Sequence, residues 1–426
     1  MSAAMTAHRL AAHPAGGYPY PRISGILFRQ AGKAGMAADF KYIVVGRGMM
    51  GAAAAKYLAM QADGVAVIGP DEPENRRAHQ GVFASHYDEG RITRTVDPDR
   101  DWALLANRSI ARYAEIAAES GIDFYTEAGC VVVAPAGSDY TRDTKNAADS
   151  LDVETRMLDG AALKQAFPYF ALPQGCEGVF QQQDAGYISP RRLVRAQSTI
   201  AEKRGATVIR DYVTAIRDEG GIVAVETSGG RTVTAEKVLL AAGGFSISEN
   251  LLAESVDMSV YGRTVVMFEV SEEQDAAFAG MPSLILETRD IDIYLLPPIR
   301  YPDGKLYLKI GGDPDDYQLK TDAELRAWFR TDGRPRARDH LMLITRRLVP
   351  ELKPLSVLTA SCVVSKTASK HPMIGFTSSP GIAVLTGCAG TSAKSSDEIG
   401  RLGAELLMTG EIAPQGYATD FKPAFR

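Results

Sequence analysis

No CxxC pair, no HExxH and no metal-ligand spacing occurs in this chain, and its four cysteines (Cys130, Cys176, Cys362, Cys388) lie far apart. A disulfide framework is therefore not expected, and a reducing cytoplasm is the expected location. With only six histidines the sequence gives no support for a metal site. No apolar run approaches the roughly 18 residues that a membrane span needs, so no membrane partner is expected. Long basic runs are missing too, and the net charge is −5. Phosphate backbones need a concentrated positive face, so nucleic acid is not an expected partner either.

What is present is an ordinary globular composition, 45% apolar and 23% charged, over 426 residues. That length exceeds what one hydrophobic core usually supports, so two domains are expected. Residues 1–37 read apart from the rest. They are rich in Ala, Gly, Pro and His, their charges are Arg9, Arg22, Arg29 and Lys33, and they lack an apolar signal core. The expectation is a disordered extension, or a start placed too early with Met36 as the true one.

The most informative stretch is YIVVGRGMMGAAAAKYLAMQADGVAVIGPDEP. An apolar strand over Tyr42–Val45 runs into GxGxxG (Gly46, Gly48, Gly51), then an alanine-rich helix, then a second strand over Val65–Ile68. Gly46 suits a tight turn, Gly48 a close approach of backbone to a pyrophosphate, and Gly51 close helix–strand packing. This placement between strand and helix is the context that makes the motif a dinucleotide site. The acid that should end the second strand and hold the adenosine ribose is absent. Gly69 stands there, with Asp71 and Glu72 as possible substitutes.

Further along, residues 101–121 suggest one amphipathic helix, with Trp102, Leu105, Tyr113 and Ile116 on its buried face. Ser189-Pro190 opens another helix as N-cap and first residue. KVLLAAGGFS reads as an apolar strand stopping at a double glycine, and residues 250–357 as strand-rich. After Val357 a strand, a small-residue turn and a helix ending at Gly410 return. The opening and closing segments both look nucleotide-binding, with β-rich portions inserted between them. The expected fold is therefore α/β, a Rossmann-like FAD domain (38–125, 184–250 and 358–426) with an inserted mixed-sheet substrate domain (126–183 and 251–357). That discontinuity suits a flavoprotein better than a nicotinamide dehydrogenase.

Three further segments could carry chemistry. Cys362 lies in TASCVVSKT, where a buried structural cysteine is the plain alternative. Lys309 lies in LYLKIGGD, where an outward-pointing side chain is equally compatible with strand alternation. Lys394 lies in TGCAGTSAKSSDE at the opening of the last helix, where it could serve a cofactor or simply face water.

Taken in order, GRGMMG, SHYDEGRITR, RGATVIRDYV, LAAGG, YLKIGG, SCVVSKT and GCAGTSAKSS resemble the monomeric sarcosine oxidase and N-methyltryptophan oxidase group of the D-amino-acid-oxidase superfamily, from about residue 38 to 426. The resemblance implies FAD attached covalently through the thioether of Cys362. It makes Lys309 the lysine that promotes reaction with oxygen, and Arg94 and Lys394 the pair that holds a substrate carboxylate. Arg suits that last role because its planar fork binds a carboxylate bidentately. Arg91 lies at the catalytic face, with His86 and Tyr87 in the same loop, and Val213 offers its backbone to adenine. Cofactor contacts are expected from Gly46, Gly48, Met49, Met50, Gly51, Ser85, His86, Arg91, Val213, Gly243, Cys362, Gly390 and Lys394, with Asp71 at the ribose.

The implied activity is oxidation of the C–N bond of a small secondary amino acid, with dioxygen as acceptor and hydrogen peroxide as product. The implied partners are a small-molecule substrate and O2, on a monomer or small homo-oligomer. Two positions depart from sarcosine oxidase: Val364 replaces an aromatic residue and Asp313 a histidine. Both help shape the substrate pocket in the relatives, so Tyr87 and Asp313 are expected at the substrate and sarcosine itself is put in question. An N-methyl amino acid, an iminodiacetate-like acid or a cyclic imino acid remain open. The alternatives are a non-covalent dehydrogenase passing electrons to a quinone or carrier protein, and a redox-silent flavoprotein.

Overall fold

A computed structural model describes residues 37–426, and residues 38–426 form one compact unit. The expectation for the N-terminal segment lies outside the described residues.

The first layer is an eight-stranded sheet. At its centre, Phe40–Val45 runs parallel to Val65–Ile68 on one side and to the second half of Thr232–Leu240 on the other. Thr207–Ile209 and Ile382–Thr386 extend it in parallel. These strands are almost wholly apolar because both faces are buried, one against the helices and the other against a second apolar cluster, as a parallel sheet requires. The alanine-rich helix Met49–Ala59 crosses the last helix, Ser396–Thr409, at very short range: a Cβ on Gly400 would stand 2.3 Å from the Cβ of Ala53. Small residues on both helices permit this approach. The end of the chain is thereby pinned to the glycine motif at its beginning.

The second layer is a nine-stranded, largely antiparallel sheet. Its two sequence blocks join where Ser283–Glu287 runs parallel to Cys130–Pro135. A small three-stranded sheet holds Arg91–Thr93, Tyr125–Glu127 and Gly186–Ile188. The sequence reading divided the chain at 358, but Ser356–Lys366 pairs along its whole length with Ser259–Val270. Cys362 therefore belongs to the second layer, and the chain returns to the first only after Lys366. No composition change marks that point, because the strand is apolar enough for either sheet.

The single helix expected over 101–121 is two, Arg100–Ile110 and Tyr113–Ser120. The break at Arg112 turns its guanidinium onto the buried carboxylates of Asp397 (2.6 Å) and Glu398 (2.7 Å). Ser189 caps Pro190–Lys203 as expected, accepting from the Arg192 N–H at 3.1 Å. Among the described residues no helix is long and apolar enough to cross a membrane.

Candidate active site

The glycine motif forms a turn whose three glycines have different surroundings. A Cβ on Gly46 would lie 2.3 Å from the Ala241 carbonyl oxygen, and one on Gly51 1.9 Å from that of Gly46. A Cβ on Gly48 would instead meet nothing nearer than His86 Nδ1, 4.0 Å away. Gly48 thus faces open space at the N-terminus of Met49–Ala59, whose first turn carries no acid. That space is a cavity of about 320 Å³, lined among others by Met49, Met50, Ser85, His86, Tyr87, Val213 and Gly243. His86 Nδ1 is buried there without a partner. Burial, reinforced by nearby arginines, pushes its imidazole down to about 3, so the ring is neutral. An open amide, a helix N-terminus and an unpartnered ring nitrogen fit a dinucleotide pyrophosphate.

Gly69 acquires a reason. A Cβ there would stand 2.7 Å from that of Arg47, whose guanidinium reaches past it to the Pro70 carbonyl and the Asp71 carboxylate. Asp71 stands two residues further along the chain, and Arg210 also pairs with its carboxylate at 3.1 Å. Asp71 lies outside the lining of the cavity, as does Gly390.

A smaller cavity of about 130 Å³ lies against the first, sharing Phe83, Ala84, Ser85, Tyr87 and Phe329 as a common wall. Asp88, Arg91 and Cys362 line it. The Cys362 thiol is half-buried, with Sγ 3.5 Å from Arg91 Nη2. Neighbouring Trp328 donates its indole N–H to the Cys362 carbonyl at 2.7 Å, fixing the strand at that point.

Lys309 points inward. It is fully buried in Leu306–Gly311, a strand covered on both faces, and Nζ donates to the Gly90 carbonyl at 2.6 Å and to the Asp88 carboxylate. Burial above all, and then the Arg91 guanidinium, pull its ammonium well below the ordinary lysine value. Arg91 shares the same Asp88 carboxylate.

Arg94 and Lys394 come together as well, and they too share a carboxylate. Asp97 Oδ2 stands 3.4 Å from Arg94 Nη2 and 3.2 Å from Lys394 Nζ. Both cations are buried, and Arg94 Nε has no partner. Burial lowers Lys394 to about 8, with the Asp97 carboxylate opposing that shift and the Arg94 cation adding to it. The cluster, which lines neither of the two cavities, carries one positive charge in excess and an unused donor in a dry setting, the electrostatic condition for receiving one anion.

Asp313, expected at the substrate, is engaged elsewhere. Its carboxylate accepts from the Thr264 N–H at 2.9 Å and pairs with Arg334 at 3.3 Å, and it lines neither cavity. Sequence reading passed over Asp88, Asp97, Arg47 and Tyr294. The aspartates sit three residues from the arginines they meet, a spacing visible in SHYDEGRITRTVD but equally common on solvated surfaces. Tyr294 lies opposite Gly311, where a Cβ would meet its ring at 2.5 Å, and its ring centroid is 5.9 Å from Lys309 Nζ.

Residues 41–406 match the family model described as FAD dependent oxidoreductase, DAO. The monomeric sarcosine oxidase of Bacillus sp. (strain NS-129) is 25% identical over 385 residues, covering 88% of this chain and 95% of that protein. The N-methyl-L-tryptophan oxidase of Yersinia pestis (strain Pestoides F) is 27% identical over 207 residues, 48% of this chain and 54% of that protein. Among solved structures, NikD, an unusual amino acid oxidase essential for nikkomycin biosynthesis, superposes with a TM-score of 0.72 at 20% identity, covering 91% of this chain and 98% of that one.

Proposed function

The chain belongs to the DAO family of FAD-dependent oxidoreductases, enzymes acting on CH–NH donors, and from that premise we propose that it oxidises the C–N bond of a small secondary amino acid and passes the electrons to dioxygen. The observation that carries this reading is the Arg94–Asp97–Lys394 cluster. It holds two buried cations, one resident anion and an unpartnered Arg94 Nε.

A substrate carboxylate neutralises the remaining charge and takes up the free donor, which fixes the amine end of the molecule relative to the cluster. Asp97 limits the excess charge to one, which favours a substrate with a single carboxylate over one with two. FAD, held by the glycine loop and the residues lining the larger cavity, would supply the redox chemistry, a two-electron acceptor for the C–N bond and a donor to O2. Lys309 supplies a buried positive charge where oxygen acquires negative charge, an electrostatic contribution that a dry setting strengthens. Cys362, beside the Arg91 guanidinium, is the thiol proposed for the covalent attachment. The sarcosine oxidase and N-methyltryptophan oxidase names of the relatives support an N-methyl or similarly small N-substituent.

Anaerobic mixing of purified protein with a panel of N-substituted amino acids, each beside the same amine lacking its carboxylate, tests the reading. Bleaching of the flavin colour by the acids but not by the bare amines is expected, followed by stoichiometric peroxide on admission of air. Equal bleaching by both sets, or reoxidation by a quinone but not by air, would overturn it.

A further inference from the structure

Asp88 has no role in the reaction proposed above, yet its carboxylate is where three elements meet. Lys309 Nζ reaches it from Leu306–Gly311 and the Arg91 guanidinium from Arg91–Thr93. The Tyr301 hydroxyl, beyond the end of Asp292–Arg300, donates to it at 2.7 Å. The carboxylate is held in place by its own loop, accepting from the Glu89 N–H at 2.8 Å. Lys309 has one other hydrogen-bond acceptor, the Gly90 carbonyl at 2.6 Å. Around Lys309 stand the Tyr294 ring from Asp292–Arg300, the Cys362 thiol from Ser356–Lys366, and Arg91. Asp88 is the carboxylate among the groups in contact with it.

We infer that Asp88 is a positioning residue that keeps Lys309 charged and aimed, and so sets the pH range over which the site reacts with dioxygen. This rests on the oxidase reading above. The charge balance carries the argument. Lys309, Arg91 and Asp88 together sum to one positive charge. Without Asp88, two cations face each other in a buried site. Arginine cannot surrender its proton at accessible pH, so lysine does. A neutral Lys309 no longer offsets the negative charge that oxygen acquires.

The test uses the flavin-loaded enzyme and the near-isosteric variant Asp88→Asn. Reoxidation by dissolved O2 is followed by stopped flow from pH 6 to pH 10. In both proteins the rate constant should fall as pH rises and Lys309 loses its proton. In Asp88→Asn the midpoint should lie roughly 1–3 pH units lower, the effect of an opposite charge at contact range. The two proteins should converge at the acid end, and Asp88→Glu should restore most of the midpoint.

A second readout needs no turnover. Folding of the variant leaves Lys309 neutral while the unfolded chain still binds its proton, so stability rises with pH between the folded and unfolded values. The melting temperature of Asp88→Asn should therefore climb relative to wild type between the two folded midpoints that the reoxidation profiles give, and run parallel to it above them.

Should Asp88→Asn not retain flavin, Tyr301→Phe serves instead. Removing that hydrogen bond concentrates the carboxylate charge on Lys309, so the midpoint should move up, and a downward move refutes the role. Coincident pH profiles and melting curves for wild type and Asp88→Asn would also overturn the inference. If Lys309→Met slows reoxidation while Asp88→Asn leaves its pH profile unchanged, the inference fails and the oxidase reading stands. If Lys309→Met itself reoxidises normally, the oxidase reading fails.

Discussion

Gly48 and Gly51 lie three residues apart in one motif, yet the structure predicts opposite consequences for the same substitution. A methyl group on Gly51 would stand 1.9 Å from the Gly46 carbonyl oxygen and 3.3 Å from the Ala241 Cβ. Neither the oxygen nor the sheet behind it can yield as a flexible side chain does. The helix Met49–Ala59 must move outward, and with it the contact at Gly400 against Ala53 and Ala54. Overpacking a core typically costs 1–3 kcal/mol, and a clash with backbone belongs at or above the upper end, about 3 kcal/mol.

Gly48 has φ −82° and ψ −168°, extended backbone that alanine adopts without strain, and its Cβ would meet nothing within about 4 Å. As a helix cap the change costs at most ~1 kcal/mol. What the methyl does occupy is the space through which the pyrophosphate reaches the amides. Losing one charge-assisted hydrogen bond there is worth about 1.5–3 kcal/mol, roughly a ten- to hundredfold loss of cofactor affinity. Both variants are to be compared by urea unfolding and by their flavin-to-protein absorbance ratio after purification. In a Cys362→Ser background, where the flavin is not held covalently, Gly51→Ala should unfold at markedly lower urea; Gly48→Ala should unfold near its flavin-free parent, yet carry little flavin. A Gly48→Ala protein with full flavin occupancy and wild-type affinity would refute the placement of the cofactor in this cavity.

The buried carboxylates that open the last helix set the acid limit of the fold. Glu398 is held down to about 2 by its salt bridges to Arg401 and Arg112, which outweigh the opposing cost of burial. Its contribution, on the order of 3 kcal/mol, is present above the unfolded value near pH 4 and is lost as pH falls toward 2. Arg112→Met should lower the neutral-pH melting temperature and flatten its acid slope. At the other end of the scale, Lys394 at about 8 predicts that binding of a simple carboxylate lacking an amine weakens as pH rises through that value. Lys394→Gln should abolish this dependence, seen by titrating the flavin spectrum. Cys362→Ser should leave a folded protein whose yellow colour remains in the supernatant on acid precipitation; colour retained in the pellet would place the attachment elsewhere.

Much of the site was legible because it is local in sequence. The glycine loop, its flanking strand and its helix fall within one short stretch, and hydrogen bonding between near neighbours makes such a stretch readable on its own. Lys309 and Cys362 stood out as polar or reactive groups in apolar strands, although alternation alone left the direction of Lys309 open. The structure decided it by covering both faces of Leu306–Gly311. The layer of the Cys362 strand is not legible in the sequence, because an apolar β-branched run fits a parallel or an antiparallel neighbour equally well, and only pairing with Ser259–Val270 distinguishes them. The helix break at Arg112 was hidden for a similar reason: its cause is a carboxylate pair 285 and 286 residues away.

By itself, then, the sequence determined the α/β class, the nucleotide loop, and the residue types available for catalysis. These depend on periodicity, turn stereochemistry and side-chain chemistry, which act over a few residues. Tertiary structure alone decided which charges face one another. It set Asp88 between Arg91 and Lys309, Asp97 between Arg94 and Lys394, and Asp313 on Arg334. Coulomb energy depends on distance in space and on exclusion of water, and neither is written in the spacing of residues along a chain.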